Sequence, residues 1–339
     1  MGDQPAAEQT PMKDWQIFTE TQQGGLCTQN FIADAGELGL ILVTGDDAQS
    51  FLQNQLSNDI THIDASKSQL SAYSTAKGRM LAIFRIVQID NGYILITPKS
   101  LINDLLNRLQ IYVLSSKVSL ADASGHFCRF VVHTDKPAVL DHGLLPGEVN
   151  AVMQNDSVIS LQLNQQQDQR RYLFLCLLID EAKALWQEFS SQLRIANFAS
   201  WRLSEIKAGI PTIYPQTAEQ FVLQMSNLDL LGGVSFKKGC YPGQEIIARM
   251  HYLGKLKRRL FLAMLETDTA PCAGDEIVSK SATVADGSGM VVDAVIDNEG
   301  HCYCLYVAQI EKATDNKLCL LDQPDVAFKP IDLPYSFAK

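Results

Sequence analysis

A hairpin signal between residues 81 and 97 constrains the fold of this chain more than any other local feature. The apolar runs Leu81–Ile89 and Tyr93–Thr97 flank Asp90-Asn91-Gly92, a sequence that favours a tight turn with positive backbone φ. Strands joined by such a turn pair antiparallel. The segment therefore predicts an antiparallel sheet.

The elements around this hairpin predict an α+β unit. A buried strand is predicted at Leu38–Val43, and helical spacing of apolar residues follows Asp47, a candidate N-cap. A second helix is predicted from Ser100, and a strand at Lys117–Leu120 closes the unit. The order β-α-β-β-α-β indicates an α+β sandwich of antiparallel sheet and helices.

Two further regions follow along the chain. The first region has a weaker form of the same order of elements, which suggests an internal duplication. Its predicted strands are Phe127–His133, Ser157–Leu163 and Arg171–Ile179, and its predicted helix is Glu181–Leu193. After Arg258, short apolar runs separated by turns predict a small β-barrel or sandwich.

Composition limits the classes of protein to which the chain can belong. A length of 339 residues favours two or three domains, and 46% hydrophobic with 19% charged residues is typical of a soluble globular protein. No apolar run approaches the roughly 20 residues of a membrane span. Residues 1 to about 14 are expected to form a flexible lead-in without an export signal, and the eight scattered cysteines to be reduced thiols in the cytoplasm. The net charge of -10 disfavours broad, nonspecific binding to nucleic acids.

One cysteine lies in a setting that favours reactivity. The segment, which we call the Cys240 segment, reads Lys237-Lys238-Gly239-Cys240-Tyr241-Pro242-Gly243-Gln244-Glu245-Ile246-Ile247-Ala248-Arg249. Pro242-Gly243 favours a type II turn that opens a helix, with Glu245 in its first turn and Arg249 placed for an i,i+4 pair. A thiol just before a helix N-terminus, with Lys237 and Lys238 nearby, is stabilised as a thiolate. The competing interpretation is a buried cysteine that packs as a small hydrophobe.

Other candidate residues each have two interpretations. Trp201 is either a core residue or an aromatic plate for a flat heterocycle. The basic run Lys255–Arg259 is either a solvated linker or an anion site, and Lys77-Gly78-Arg79 is either a plain turn or part of a charged cavity. Cys302 and Cys304 are expected to fill the core of the C-terminal sheet, so no metal site is predicted.

The segment Asn227-Leu228-Asp229, the following Gly232-Gly233-Val234-Ser235-Phe236 and the Cys240 segment resemble the signature of the YgfZ-type folate-binding proteins, in the superfamily of the glycine-cleavage aminomethyltransferase. The resemblance extends from about Leu38 to the C-terminus. Further matching segments are Val43-Thr44-Gly45-Asp46, residues 51–59, Ala76-Lys77-Gly78-Arg79, Ser115-Ser116-Lys117-Val118, Ala208-Gly209-Ile210-Pro211 and Leu333-Pro334-Tyr335-Ser336.

The resemblance implies a particular architecture and function. It implies two α+β sandwiches around a central folate cavity, closed by a small C-terminal β-barrel. The implied domains are residues 1–42 with 122–238, residues 43–121, and residues 239–339. The implied ligand is tetrahydrofolate or a one-carbon derivative. The implied role is assembly or repair of iron–sulfur enzymes, including radical enzymes that thiolate tRNA.

The resemblance also assigns roles to individual residues. Cys240 matches the family cysteine and is expected to act as a functional thiol with Lys238, while Trp201, Leu38 and Arg79 are expected at the folate site. Leu38 stands where a better-known member has a second aromatic residue. The residues expected to support the motif are Lys237, Gly239, Tyr241, Gly243, Gln244, Glu245 and Arg249.

Two alternative functions remain open from the sequence. One is a folate-dependent transferase with another acceptor, and the other is an adaptor that binds tRNA through Lys257, Arg258 and Arg259. The aminomethyltransferase carries a carboxylate pair at positions that align with Ala82 and Ile83, and neither side chain here can move a proton. This difference argues against aminomethyl transfer by the same mechanism.

Overall fold

The computed structural model describes residues 11–22, 24–140, 143–166, 168–254, 256–280, 282, 284, 286–314 and 318–337. These residues form an α+β fold with three sheets. The helices are α1 (Pro11–Glu20), α2 (Ala48–Gln55), α3 (Ile102–Gln110), α4 (Ile179–Ser190), α5 (Phe198–Lys207), α6 (Gln244–Tyr252) and α7 (Ile310–Thr314). The strands are β1 (Phe31–Asp34), β2 (Leu38–Thr44), β3 (Gln69–Ser74), β4 (Met80–Ile89), β5 (Gly92–Pro98), β6 (Ser119–Asp122), β7 (Cys128–Thr134), β8 (Val152–Gln154), β9 (Val158–Gln166), β10 (Gln169–Cys176), β11 (Arg194–Ala196), β12 (Arg258–Leu265), β13 (Glu276–Ser279), β14 (Gly289–Ile296), β15 (Cys302–Gln309), β16 (Leu318–Leu320) and β17 (Phe328–Ile331).

The first sheet has the strand order β3-β4-β5-β2-β6 and contains the predicted hairpin. β4 and β5 pair antiparallel with Ile89 opposite Gly92, which confirms the turn at residues 90–91. β3 was not predicted, because its sequence Gln-Leu-Ser-Ala-Tyr-Ser lacks a continuous apolar run. Its buried Ser71 has a hydrogen-bond partner, since Ser71 Oγ accepts a bond from the Asn58 N–H at 2.9 Å.

The ends of two helices differ from the prediction. Asp47 precedes α2 but does not cap it through its side chain, because its carboxylate accepts the Lys117 N–H at 2.8 Å. α3 begins at Ile102, after a short 3-10 turn that includes the predicted start at Ser100.

The second sheet has the order β11-β1-β7-β10-β9-β8 and combines a strand near the N-terminus with strands from residues 128–196. β1 pairs parallel with β11 and antiparallel with β7. The expectation of a flexible lead-in up to about residue 14 is wrong for residues 11–14, which belong to α1; residues 1–10 lie outside the described residues. Trp15 explains this helix, since its ring is fully buried and its Nε1 donates to Asp34 at 2.6 Å.

The third sheet is a curled, antiparallel half-barrel with the order β16-β13-β14-β15-β12-β17. Cys302 and Cys304 are both fully buried in its core, beside Tyr306 and Phe328. Burial raises the pKa of the Cys302 thiol to about 11. These two cysteines therefore pack as apolar side chains, as the sequence indicates.

Helix α5 connects the sheets and positions the candidate site. Asn197 caps its N-terminus, since its side chain accepts the Ser200 N–H at 3.2 Å. α5 packs against β1 and β7 of the second sheet and against β14 and β15 of the third.

β2 crosses the predicted domain boundary at residues 42–43, so the chain enters the first sheet already at Leu38.

Candidate ligand cavity and the Cys240 segment

A cavity of about 720 Å³ is lined by residues from all three sheets and from α5. This volume falls within the range of small-molecule sites. Its apolar wall includes Leu38, Leu70, Ile83, Ile96, Leu163 and Leu173. A cavity of this size and character is suited to a mostly apolar small molecule.

Trp201 and Leu38, two of the predicted folate residues, both line this cavity. Trp201 is only 3% exposed and packs with Phe31 and Leu161, so it is a core residue and a cavity wall at once. The Arg171 guanidinium lies over its ring, 4.4 Å from the centroid. Arg171 thus covers part of the Trp201 surface that was expected to stack on a flat heterocycle.

Ile83 also lines the cavity, and Ala82 is fully buried beside it in β4. The wall at Ile83 is therefore apolar, and Ala82 lies in the core outside the cavity lining.

Charged side chains in and behind the wall were not predicted. Fully buried Arg171 forms an ion pair with Glu205, and partly exposed Arg202 forms one with buried Asp293. Asp293 also accepts a hydrogen bond from Tyr214 Oη at 2.9 Å. Burial, and then the Asp293 carboxylate, raise the pKa of Tyr214 above its usual range. Tyr214 therefore remains a phenol that donates. No local motif marks these pairs, because the partners are far apart in sequence.

The thiol that lines the cavity is Cys272. It lies in the loop between β12 and β13, beside Pro271 and Ala273, and its side chain is exposed. No motif in the sequence marks Cys272, since a loop that contains alanine, proline and glycine is typical of an ordinary connection.

The backbone of the Cys240 segment forms the predicted turn. Gly243 has φ +82°, and the Gln244 N–H donates to the Tyr241 carbonyl at 3.1 Å before α6 begins. A Cβ at Gly243 would lie 2.5 Å from Gly78 Cα and 2.6 Å from the Thr75 carbonyl oxygen, so this turn requires glycine where it packs against the turn at residues 75–78. Cys240 is exposed, and the interpretation of a buried cysteine is therefore wrong.

The basic and acidic residues of this segment have different roles from those expected. Lys238 is 8% exposed, and its ammonium donates to the carbonyls of Gln53, Leu56 and Asn58 at 2.6, 2.6 and 2.9 Å. All three of its N–H donors are thus used to fix the segment to the end of α2. Burial lowers the pKa of Lys238 to about 8. Its ammonium is committed to these carbonyls rather than to the thiol.

The remaining motif residues divide between surface and support. Lys237 and Gly239 are exposed, whereas Tyr241 is buried below the Lys238 ammonium, which lies 5.2 Å from its ring centroid. Gln244 Nε2 donates to the Lys238 carbonyl at 3.3 Å. Glu245 and Arg249 are both exposed and do not form the expected i,i+4 ion pair with each other.

The structure separates the predicted site residues. None of residues 237–249 lines the cavity that holds Trp201 and Leu38. Arg79 also lies outside it: its Nη1 donates to the Gln220 carbonyl at 2.5 Å, at a smaller cleft of about 210 Å³ that Arg258 also lines. The cavity, the Cys240 thiol and the Arg79 side chain therefore lie at three different sites rather than at one.

The basic run near α6 is largely part of the fold. Arg259 forms a buried bidentate pair with Asp229 at 2.6 and 3.0 Å, and Arg258 donates to the Gly287 carbonyl at 2.6 Å. Lys257 is exposed, and Lys255 lies outside the described residues. The interpretation of a solvated linker is wrong for the two arginines, which begin β12.

Comparison with known proteins places these observations in a family. A scan against protein-family models finds no match. The tRNA-modifying protein YgfZ of Edwardsiella ictaluri is 30% identical over 298 residues, which cover 87% of this chain and 89% of the relative. The chain belongs to the YgfZ family. Another member, from Photobacterium profundum, is 29% identical over 301 residues, covering 88% and 89%.

A solved structure shows the same fold outside this family. The glycine cleavage system aminomethyltransferase T from Bartonella henselae superposes with a TM-score of 0.72 over 91% of this chain and 87% of that one. The sequence identity is 14%, so this likeness concerns the fold.

None of the described helices combines the length and apolar character needed to cross a membrane.

Proposed function

We propose that the cavity binds tetrahydrofolate or a one-carbon derivative of it. The observation that carries this proposal is an apolar cavity of about 720 Å³ with Trp201 in its wall. Membership of the YgfZ family and a fold like that of an aminomethyltransferase support it. In this proposal, three domains surround that cavity. They are residues 1–42 with 122–238, residues 43–121 and residues 239–339, except that all of β2 (Leu38–Thr44) belongs with the first sheet.

The side chains present fit such a ligand. Leu38, Ile83 and Trp201 offer apolar surface to a pterin and an aminobenzoyl ring, and the phenol of Tyr214 and the hydroxyl of Thr97 offer polar contacts. Folate would supply a carrier for one-carbon units. Because Ala82 and Ile83 provide no carboxylate, the chain's own part is to bind and orient the folate and to exclude water from it.

The role we propose is support of tRNA modification in the cytoplasm, through assembly or repair of iron–sulfur enzymes. The names of the relatives support the tRNA part of this role, and the resemblance of the Cys240 segment supports the rest. Cys240 is exposed and lies outside the cavity wall, so its thiol can meet a partner protein while folate is bound.

Alkylation of the two exposed cysteines tests the proposed site. Cys240 and Cys272 are the exposed members of the eight free cysteines, and of these two only Cys272 lines the cavity. We expect saturating tetrahydrofolate, kept free of oxygen, to slow iodoacetamide labelling of Cys272 about tenfold or more and to leave Cys240 unchanged. Mass spectrometry of tryptic peptides measures both rates in one sample. Equal rates with and without ligand at Cys272, at a concentration where binding is saturated, would exclude this cavity as the site.

A further inference from the structure

The cavity contains one buried cation that has no opposite charge. Arg85, on β4, lines the cavity and is 8% exposed. Glu205 and Asp293, which also line it, are paired with Arg171 and Arg202, and Glu37 is exposed. Among the described residues, no carboxylate forms an ion pair with Arg85.

The hydrogen bonds of Arg85 fix its guanidinium without neutralising it. Nη1 donates to Asn150 Oδ1 at 2.7 Å and to Ser68 Oγ at 3.5 Å, and Nη2 donates to Asn164 Oδ1 at 3.0 Å. All three acceptors are uncharged. A guanidinium has five N–H groups, so the Nε–H and one N–H of Nη2 are left without a partner among the residues that the structure describes.

These two donors belong to Nε and Nη2, the two nitrogens of one edge of the guanidinium. The Nε–Nη2 edge is one that binds a carboxylate through two parallel hydrogen bonds. Burial lowers the pKa of Arg85 to about 10, and its positive charge in turn contributes to the lowered pKa of buried Arg171, after burial itself. Arg85 is therefore still charged at neutral pH, and the positive charge of Arg171 lies close to it.

A buried charge without a partner is costly unless a ligand supplies one. We propose that Arg85 binds a carboxylate of the ligand, which, on the proposed function, is a carboxylate of the glutamate of tetrahydrofolate. The pterin ring is uncharged and carries no such group. Arg85 is thus a specificity-determining residue that selects folates with their glutamate over free pterins.

Three probes and two variants test this inference by calorimetric titration. The probes are tetrahydrofolate, a tetrahydropterin with a methyl group in place of the aminobenzoylglutamate, and p-aminobenzoylglutamate, which has the carboxylates without the pterin. Arg85→Gln removes the charge. Asn150→Asp is nearly isosteric and places a carboxylate against Nη1, and aspartate tolerates the φ of +68° at this position.

We expect Arg85→Gln to weaken tetrahydrofolate binding about 30-fold, because a charge-assisted bidentate contact is lost, and to change tetrahydropterin binding less than about twofold. We expect Asn150→Asp to weaken tetrahydrofolate binding about tenfold while the melting temperature stays equal or rises, since the new carboxylate pairs with Arg85 in place of the ligand. A purely structural role of Arg85 does not produce this opposite change in affinity and stability.

Two results would overturn the inference while the proposed function stands. They are unchanged tetrahydrofolate affinity in both variants, and equal losses for tetrahydrofolate and the tetrahydropterin in Arg85→Gln. If the wild type does not bind tetrahydrofolate, the proposed function fails and p-aminobenzoylglutamate decides the inference. If p-aminobenzoylglutamate binds to the wild type and this binding is lost in both variants, the inference of a carboxylate site stands. If p-aminobenzoylglutamate does not bind to the wild type, the inference is overturned.

Discussion

Glu205→Ala should lower the free energy of unfolding by about 3 kcal/mol, because it leaves the Arg171 guanidinium buried without its carboxylate. The Arg171 side chain has no exposed surface, and that of Glu205 is 20% exposed. The remaining bonds of Arg171 run to Ser204 Oγ at 3.2 Å and to the Asn164 carbonyl at 2.8 Å, and neither acceptor is charged. Denaturation in urea, followed by tryptophan fluorescence, measures the loss.

The exposed pair of Lys329 and Glu266 provides the control for this prediction. Their side chains are 50% and 70% exposed, so Glu266→Ala should change stability by less than about 1 kcal/mol. Glu205→Gln keeps a hydrogen-bond acceptor but not the charge. Its loss of free energy of unfolding should lie between those of Glu266→Ala and Glu205→Ala. Equal stability of Glu205→Ala and Glu266→Ala would contradict the account of Arg171 as a cation that depends on Glu205.

Trp201→Ala should cost about 3–5 kcal/mol of stability and abolish folate binding, because the ring is both core and cavity wall. Trp201→Phe keeps an aromatic wall, so we expect it to fold and to bind tetrahydrofolate about fivefold more weakly. The matched control is Trp186→Ala. Trp186 is 1% exposed and packs against Trp15 and Phe130, away from the residues that line the cavity.

The comparison of these variants separates stability from binding. Trp186→Ala should lose a similar free energy of unfolding and retain wild-type affinity for tetrahydrofolate at a temperature where it is folded. If both tryptophan variants lose affinity in proportion to their stability, Trp201 is a core residue only. If Trp201→Phe binds as tightly as the wild type and Trp201→Ala is only slightly weaker, the ring is not part of the ligand site.

Local signals in the sequence were sufficient for much of the fold. The Asp90-Asn91-Gly92 turn and the Pro242-Gly243 turn depend on the conformational preferences of their own residues, and both form as predicted. β3 was not found, because burial of its Ser71 depends on a hydrogen bond that the Asn58 N–H, outside the strand, donates to Ser71 Oγ. α1 was not predicted, because Trp15 is buried mainly by strands and a helix that come much later in the chain.

The candidate site was harder to predict, for a related physical reason. Trp201 and Leu38 came from the family resemblance, and both line the cavity. Lys238 was assigned to the thiol because the two are adjacent in sequence, whereas its ammonium is bound by carbonyls of residues 53–58. Arg85 and Cys272 have no neighbours in sequence that suggest a role. Their significance depends on which charges and walls the tertiary structure brings beside them.

The central claim is that the cavity beside Trp201 is a folate site, and one titration tests it most directly. Tetrahydrofolate is titrated calorimetrically into the wild type and into Ala273→Trp, which adds a large ring to the half-exposed loop that lines the cavity. We expect saturable micromolar binding to the wild type and at least tenfold weaker binding to Ala273→Trp, with the melting temperature of the unliganded variant unchanged. No heat of binding with the wild type, or equal affinity in the two proteins, would contradict the claim.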